Sequence, residues 1–149
     1  MVTILDYKVG NLRSVQKAFE RLDIPVIIAD NPKNIEKAER LVIPGVGNFT
    51  FGMNKLKSLN FIPILNHLVL EKKIPVLGIC LGMQLLTDYS EEGNIEGLGY
   101  ISAKTHKFSN LGKQLPVPHM GWNTIVFNNS SKLSQGINFE EDTFYFVHS

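Results

Sequence analysis

Ile74-Pro75-Val76-Leu77-Gly78-Ile79-Cys80-Leu81-Gly82-Met83-Gln84-Leu85-Leu86 changes character at its cysteine. The run up to Ile79 is apolar and reads as a buried strand, and the run from Leu81 reads as the opening of a helix. Glycines two residues before and two after Cys80 give G-x-C-x-G, the thiol counterpart of the G-x-S-x-G nucleophile elbow. A side chain at either glycine would collide with the neighbouring strand or helix, so the turn requires them. The elbow pushes the sulfur out of the sheet edge and sets it at a helix N-terminus, where partial positive charge favours thiolate over thiol. An ordinary thiol, with a pKa of about 8.5, is mostly protonated at neutral pH. A lone cysteine is otherwise most often a small buried apolar residue. The strand, the paired glycines and the helix therefore carry the functional reading.

Working outward, the first ninety residues alternate strand and helix. Val2–Leu5, Pro25–Ala29, Leu41–Ile43 and Val76–Ile79 read as four strands, the third stopped by Pro44-Gly45. Asn11 is placed to cap a helix with Leu12, Val15, Phe19 and Leu22 at helical spacing. Asn31-Pro32 opens a short helix through Glu36 and Ala38, and Pro63 opens one carrying Ile64, Leu65, Leu68 and Val69. Strands apolar throughout are predicted to be covered on both faces, which is the pattern of a parallel sheet between helices. Ligands in such sheets bind at the carboxyl ends of the strands, so Asp6, Pro44-Gly45-Val46-Gly47 and Cys80 are predicted to share one rim. Beyond about residue 90, Gly93, Gly97, Gly99, Pro116, Pro118 and Gly121 punctuate short segments. Tyr100–Ala103, Trp122–Phe127 and Thr143–Val147 read there as strands of an antiparallel addition.

Pro44-Gly45-Val46-Gly47 is either a tight strand-to-helix turn or a loop whose backbone N–H groups face an anion. Beside a thiolate nucleophile, that anion is the oxygen of a tetrahedral intermediate, and the Leu81 N–H is the second donor expected of an elbow. Gln84 lies one helical turn past Cys80, either solvated or holding a polar substrate. A cysteine nucleophile usually works with a histidine, and none of His67, His106, His119 and His148 carries a local pattern that would orient it as a base.

The composition is that of a globular domain: 149 residues, 44% hydrophobic and 19% charged. Fifteen basic against fourteen acidic residues give no bulk charge for nucleic acid or acidic lipid. One cysteine closes no internal disulfide, and with four histidines at unsuitable spacing it makes no metal site. Met1–Asp6 lacks the form of a signal peptide and no apolar run is long enough for a bilayer. A cytoplasmic protein without membrane or nucleic-acid partners is the expectation.

Gly78-Ile79-Cys80-Leu81-Gly82-Met83-Gln84 resembles the nucleophile motif of the class I (triad) glutamine amidotransferases. Asp6-Tyr7 with Gly10-Asn11-Leu12, Pro44–Gly47, Glu96–Gly99, Pro118–Asn123 and Phe144–Ser149 resemble, in that order, the glutaminase subunits of imidazole glycerol phosphate synthase in histidine biosynthesis. The resemblance implies an α/β fold with a mostly parallel central sheet, helices on both faces and an antiparallel C-terminal addition, as one glutaminase domain over residues 1–149. It implies that glutamine is hydrolysed to glutamate and ammonia. The ammonia passes to a (β/α)8-barrel cyclase subunit, held as a heterodimer within a lyase-type synthase, with no cofactor or metal on this subunit. Carried over, Cys80 is the nucleophile. Val46, after a backbone rearrangement, and Leu81 are oxyanion donors, while Gly45, Gly47, Gln84, His148 and Ser149 contact the substrate. The family's catalytic His and Glu lie in a Gln-Phe-His-Pro-Glu-like segment that this sequence does not reach. The domain is therefore expected to be incomplete at its C-terminus, with little turnover. The competing expectations are an amidotransferase of surface-sugar amidination, a non-catalytic partner-binding module, and a cysteine hydrolase using His148 as base.

Overall fold

A computed structural model describes residues 1–108, 116–128 and 131–149. The chain divides into two compact units, Met1–His106 and Lys107–Ser149.

In the first unit the strands are β1 (Val2–Leu5), β2 (Val26–Ala29), β3 (Leu41–Gly45) and β4 (Val76–Cys80). They form one parallel sheet in the order β2-β1-β3-β4. The helices between them are α1 (Leu12–Glu20), α2 (Pro32–Ile35), α3 (Phe49–Ser58) and α4 (Ile62–Asn66), which runs on as a π-turn over His67–Glu71. Helix α5 (Leu81–Leu85) leaves β4 directly. Asn11 caps α1 as the sequence predicts, its side chain accepting from the Ser14 N–H at 3.2 Å. A mixed sheet follows, in which β5 (Thr87–Ser90) pairs antiparallel with β6 (Ile95–Glu96) and parallel with β7 (Ile101–Thr105).

Alternate residues of the sheet feed two cores. Leu5, Leu41 and Ile43 pack with α2 to α5 through Ile35, Phe49, Met53, Leu56, Leu65 and Leu85. Val2, Ile4 and Val42 pack with α1 through Leu12, Val15 and Phe19. Coverage on both faces holds for β1 and β3 but not for the outer strands. Ile27 and Ile28 of β2 and Leu77 and Ile79 of β4 are exposed. On the α1 side a single nine-residue helix spans the sheet. It leaves an apolar groove between Val15, Phe19 and Leu22 on one wall and Leu77 and Ile79 on the other.

Several elements differ from expectation. β3 continues through Pro44 to Gly45. Its pairing with β1 ends at Val42, so Pro44 lies where the strand is paired on one side, where proline is tolerated. Helix α3 covers a stretch where the sequence predicts no element, and α2 stops at Ile35 short of Glu36 and Ala38. In the second unit, β8 (His119–Asn123) and β9 (Phe144–His148) form an antiparallel pair. The strand expected over Trp122–Phe127 thus lies earlier, and no strand covers residues 124–127.

Gly82 is the tightest fit in the first unit. A methyl group there would run into the carbonyl oxygen of Ile43, which is backbone and cannot step aside. Gly82→Ala is expected to cost about 1–3 kcal/mol or more. Gly47→Ala, where a methyl meets nothing within 4 Å and only the φ of +97° opposes it, is expected to cost less. Thermal unfolding of the two variants checks the order.

Candidate active site

The cysteine sits at the bend between β4 and α5 with φ 53° and ψ −117°. A side-chain-bearing residue in such a conformation costs of order 1–3 kcal/mol and persists where its surroundings impose it. Here the surroundings are the two glycines. A methyl on Gly78 would meet the Met83 backbone, and one on Gly82 the Ile43 carbonyl. Helix α5 therefore lies hard against β3 and β4, and Cys80 is turned outward, exposed.

The parallel register makes Gly45 the Cα partner of Cys80. The Pro44–Gly47 segment is thus the immediate neighbour of the nucleophile candidate, and it is also the turn from β3 into α3. Pro44 and Gly45 are buried, whereas Val46 and Gly47 are exposed, Val46 at 57%. Gly47 has φ +97°, a conformation open to glycine and strained for other residues. Asn48 caps α3 by accepting from the Phe51 N–H at 3.1 Å. The Glu92 carboxylate accepts from the Phe49 N–H at 2.9 Å, so a second side chain anchors the far end of the loop. Leu81 is buried, and its Cβ lies 2.9 Å from where a Gly45 Cβ would stand. Gln84 is half-buried on α5. At the end of β1, Asp6 accepts from the Lys8 backbone N–H at 2.9 Å and its ammonium at 2.7 Å. That hydrogen bond holds the exposed Lys8 above its ordinary pKa.

Two residues here escaped the reading of single motifs. Glu92 acts through a contact 43 positions away in the chain. Tyr7 was visible only as part of a resemblance. It is fully buried, and its hydroxyl has no hydrogen-bond partner. That hydroxyl stands 2.5 Å from the point a Gly45 Cβ would occupy. Burial first, and then the Cys80 sulfur, push its phenol above the ordinary value. An unpartnered buried hydroxyl costs roughly 1–3 kcal/mol.

His67 contacts Glu71 at 2.6 Å on its own helix, and His106 contacts Glu91 at 3.0 Å. In the second unit, His148 on β9 faces His119 on β8, with Nε2 and Nδ1 3.0 Å apart. Phe108 and Phe146 pack on the His148 ring, and Ser149 follows the strand. Burial and then His119 hold the His148 imidazole below its usual value. Among the described residues, no group of three or more His, Cys, Asp or Glu side chains is placed to hold a metal ion. No helix among them is long and apolar enough to cross a membrane.

Residues 3–149 match the family described as glutamine amidotransferase class-I. The chain is 48% identical to the imidazole glycerol phosphate synthase subunit HisH 2 of Methanococcus maripaludis, over all of this chain and 73% of that protein. It is 49% identical to subunit HisH 1 of Campylobacter jejuni strain 81-176, over all of this chain and 74% of the relative. With subunit HisH of Shouchella clausii the identity is 45% over all of this chain and 72% of the relative. A crystal structure of a glutamine amidotransferase superimposes with a TM-score of 0.65 at 22% identity, over 76% of this chain and 59% of that one. That likeness speaks to the fold.

The His148 environment sets a pH dependence. Below the ordinary histidine value of about 6.5, the unfolded chain takes up a proton that the folded strand pair resists. Stability is therefore present above that pH and is lost as pH falls from there towards the lowered folded value. Thermal unfolding between about pH 7.5 and about pH 5.5 is expected to show a falling midpoint, and His148→Gln to flatten that fall.

Proposed function

The chain belongs to the class-I glutamine amidotransferase family, among the HisH subunits of imidazole glycerol phosphate synthase, and on that premise we propose that it is a glutaminase subunit whose nucleophile is Cys80. The observation that carries this reading is an exposed sulfur on a strained elbow, register-paired with the glycine loop. The thiolate attacks the carboxamide carbon of glutamine, and the carbonyl becomes an oxyanion. The Leu81 N–H, and the Val46 N–H once the loop turns, receive that charge. Removing one such donor typically costs about 3 kcal/mol of the barrier. The C–N bond then breaks, the nitrogen leaves as ammonia with a proton from a general acid, and a thioester remains on Cys80. Water cleaves the thioester to glutamate and returns the thiol.

Gly47 gives the loop its freedom, Gly45 lets the strand end pack against Leu81, and Gln84 contacts the amino-acid end of the substrate. No metal or organic cofactor is needed for these steps. The ammonia serves a (β/α)8-barrel cyclase subunit, bound as a heterodimer. In the second unit, the register pairs Met120–Val147 and Trp122–Tyr145 put four exposed apolar side chains on one face of β8–β9. The Trp122 and Tyr145 rings lie edge to face at 5.6 Å. A patch of this kind suits a partner subunit.

An electrophilic glutamine analogue is expected to add to Cys80, to be slowed by excess glutamine, and to leave Cys80→Ser unmodified. A mass spectrum with no adduct, or labelling indifferent to glutamine, would refute the assignment. For the partner face, Trp122→Ala is expected to weaken cyclase binding at least tenfold in titration calorimetry, in line with an aromatic anchor of about 2 kcal/mol.

A further inference from the structure

Among the described residues, the Tyr7 hydroxyl is the one buried side-chain polar atom without a hydrogen-bond partner. Tyr100 shows how the fold otherwise treats a buried phenol, since its hydroxyl donates to Asn66 Oδ1 at 2.7 Å. Phenylalanine would fill the Tyr7 site equally well and leave nothing unsatisfied. The hydroxyl is instead accommodated by its surroundings. It lies 2.5 Å from where a Gly45 Cβ would stand, so only glycine fits opposite it, and Gly45 is the register partner of Cys80.

We propose that Tyr7 is a positioning residue for the nucleophile, a donor held in reserve beneath the Gly45–Cys80 pair whose acceptor is the ionised Cys80 sulfur. The proposal rests on the reading of Cys80 as the nucleophile. No hydrogen bond occupies the hydroxyl. Asp6, the nearest acid in sequence, is bonded to Lys8 through both oxygens. The residues that meet the hydroxyl around the Gly45 Cβ position, Leu81 and Gly82 of α5, bring no charged side chain. Burial, and after it the Cys80 charge, keep the phenol protonated over the range in which thiols ionise, so it stays a donor there. A buried donor without a partner is satisfied most strongly by a charged acceptor. Ionisation of the sulfur relieves a deficit that the thiol form leaves standing.

The test uses the single cysteine. Alkylation of Cys80 by iodoacetamide is followed by mass spectrometry from about pH 6 to about pH 10 in the wild-type chain, Tyr7→Phe and Tyr100→Phe. Tyr7→Phe is expected to move the midpoint of the rate profile up by about one pH unit and to slow alkylation about five- to tenfold at neutral pH. It is also expected to raise the thermal midpoint, because the orphaned hydroxyl is gone. Tyr100→Phe is expected to leave the profile in place and to lower the thermal midpoint. A Tyr7→Phe profile superimposable on wild type overturns the proposal. If Tyr7→Phe does not fold, wild-type chain labelled with 13Cζ-tyrosine decides. One tyrosine resonance must titrate with the alkylation midpoint and cease to do so once Cys80 is alkylated, and its absence overturns the proposal. Capture of the glutamine analogue separates the two ideas. A shifted profile without capture removes the glutaminase reading and leaves the Tyr7–Cys80 coupling. Capture with an unshifted profile does the reverse.

Discussion

The tightest glycine site in the first unit, Gly82 against the Ile43 carbonyl, is the constraint from which the rim follows. Because α5 can lie that near β3, the chain must turn from β4 into α5 within one residue, and that residue is Cys80 in a left-handed conformation. The same approach brings Leu81 against Gly45, so the start of α5 and the end of β3 are in contact. Gly52 extends the arrangement outward. A side chain there would meet Leu81 and Leu85 at 3.2–3.3 Å, so α3 also closes on α5. The geometry of the rim and the packing of the core are thus set by the same few backbone contacts.

The parts of this design that are local and steric were legible in the sequence. Gly78 and Gly82 around Cys80 announced the elbow because their spacing has few other uses, and apolar β-branched runs announced the four parallel strands. The rim followed from parallel topology. Helix α3 was not legible, since Phe49-Thr50-Phe51-Gly52 is a poor helix former taken alone. It is held by the Asn48 cap, the Glu92 carboxylate and burial of Phe49, Met53 and Leu56. β5, with Asp88 in its middle, pairs with a partner that begins at Ile101, a distant contact that no local pattern marks. At β8, Thr124-Ile125-Val126 had the composition of a strand, but register with β9 decided the matter, and Val126 is 88% exposed. Tyr7 could not be singled out from sequence, because its distinguishing property is a missing partner.

Polar satisfaction and packing pull in different directions across the first unit. Away from the rim, buried polar groups are paired and the core is closed by interlocking aliphatic side chains. At the rim the chain carries a strained cysteine, a left-handed glycine and an unmatched phenol within a few residues of one another. Such a concentration of locally unfavourable features is sustained by the regular structure behind it.

An outward-facing sulfur in a chain with no second cysteine has an oxidative corollary. Within these 149 residues, any disulfide it forms must join two molecules or capture a small thiol from solution. Oxidation would therefore register as a covalent dimer or a mixed disulfide, and either product would occupy the mouth of the rim. Aerobic storage without a reductant would block the sulfur, reversibly by dithiothreitol.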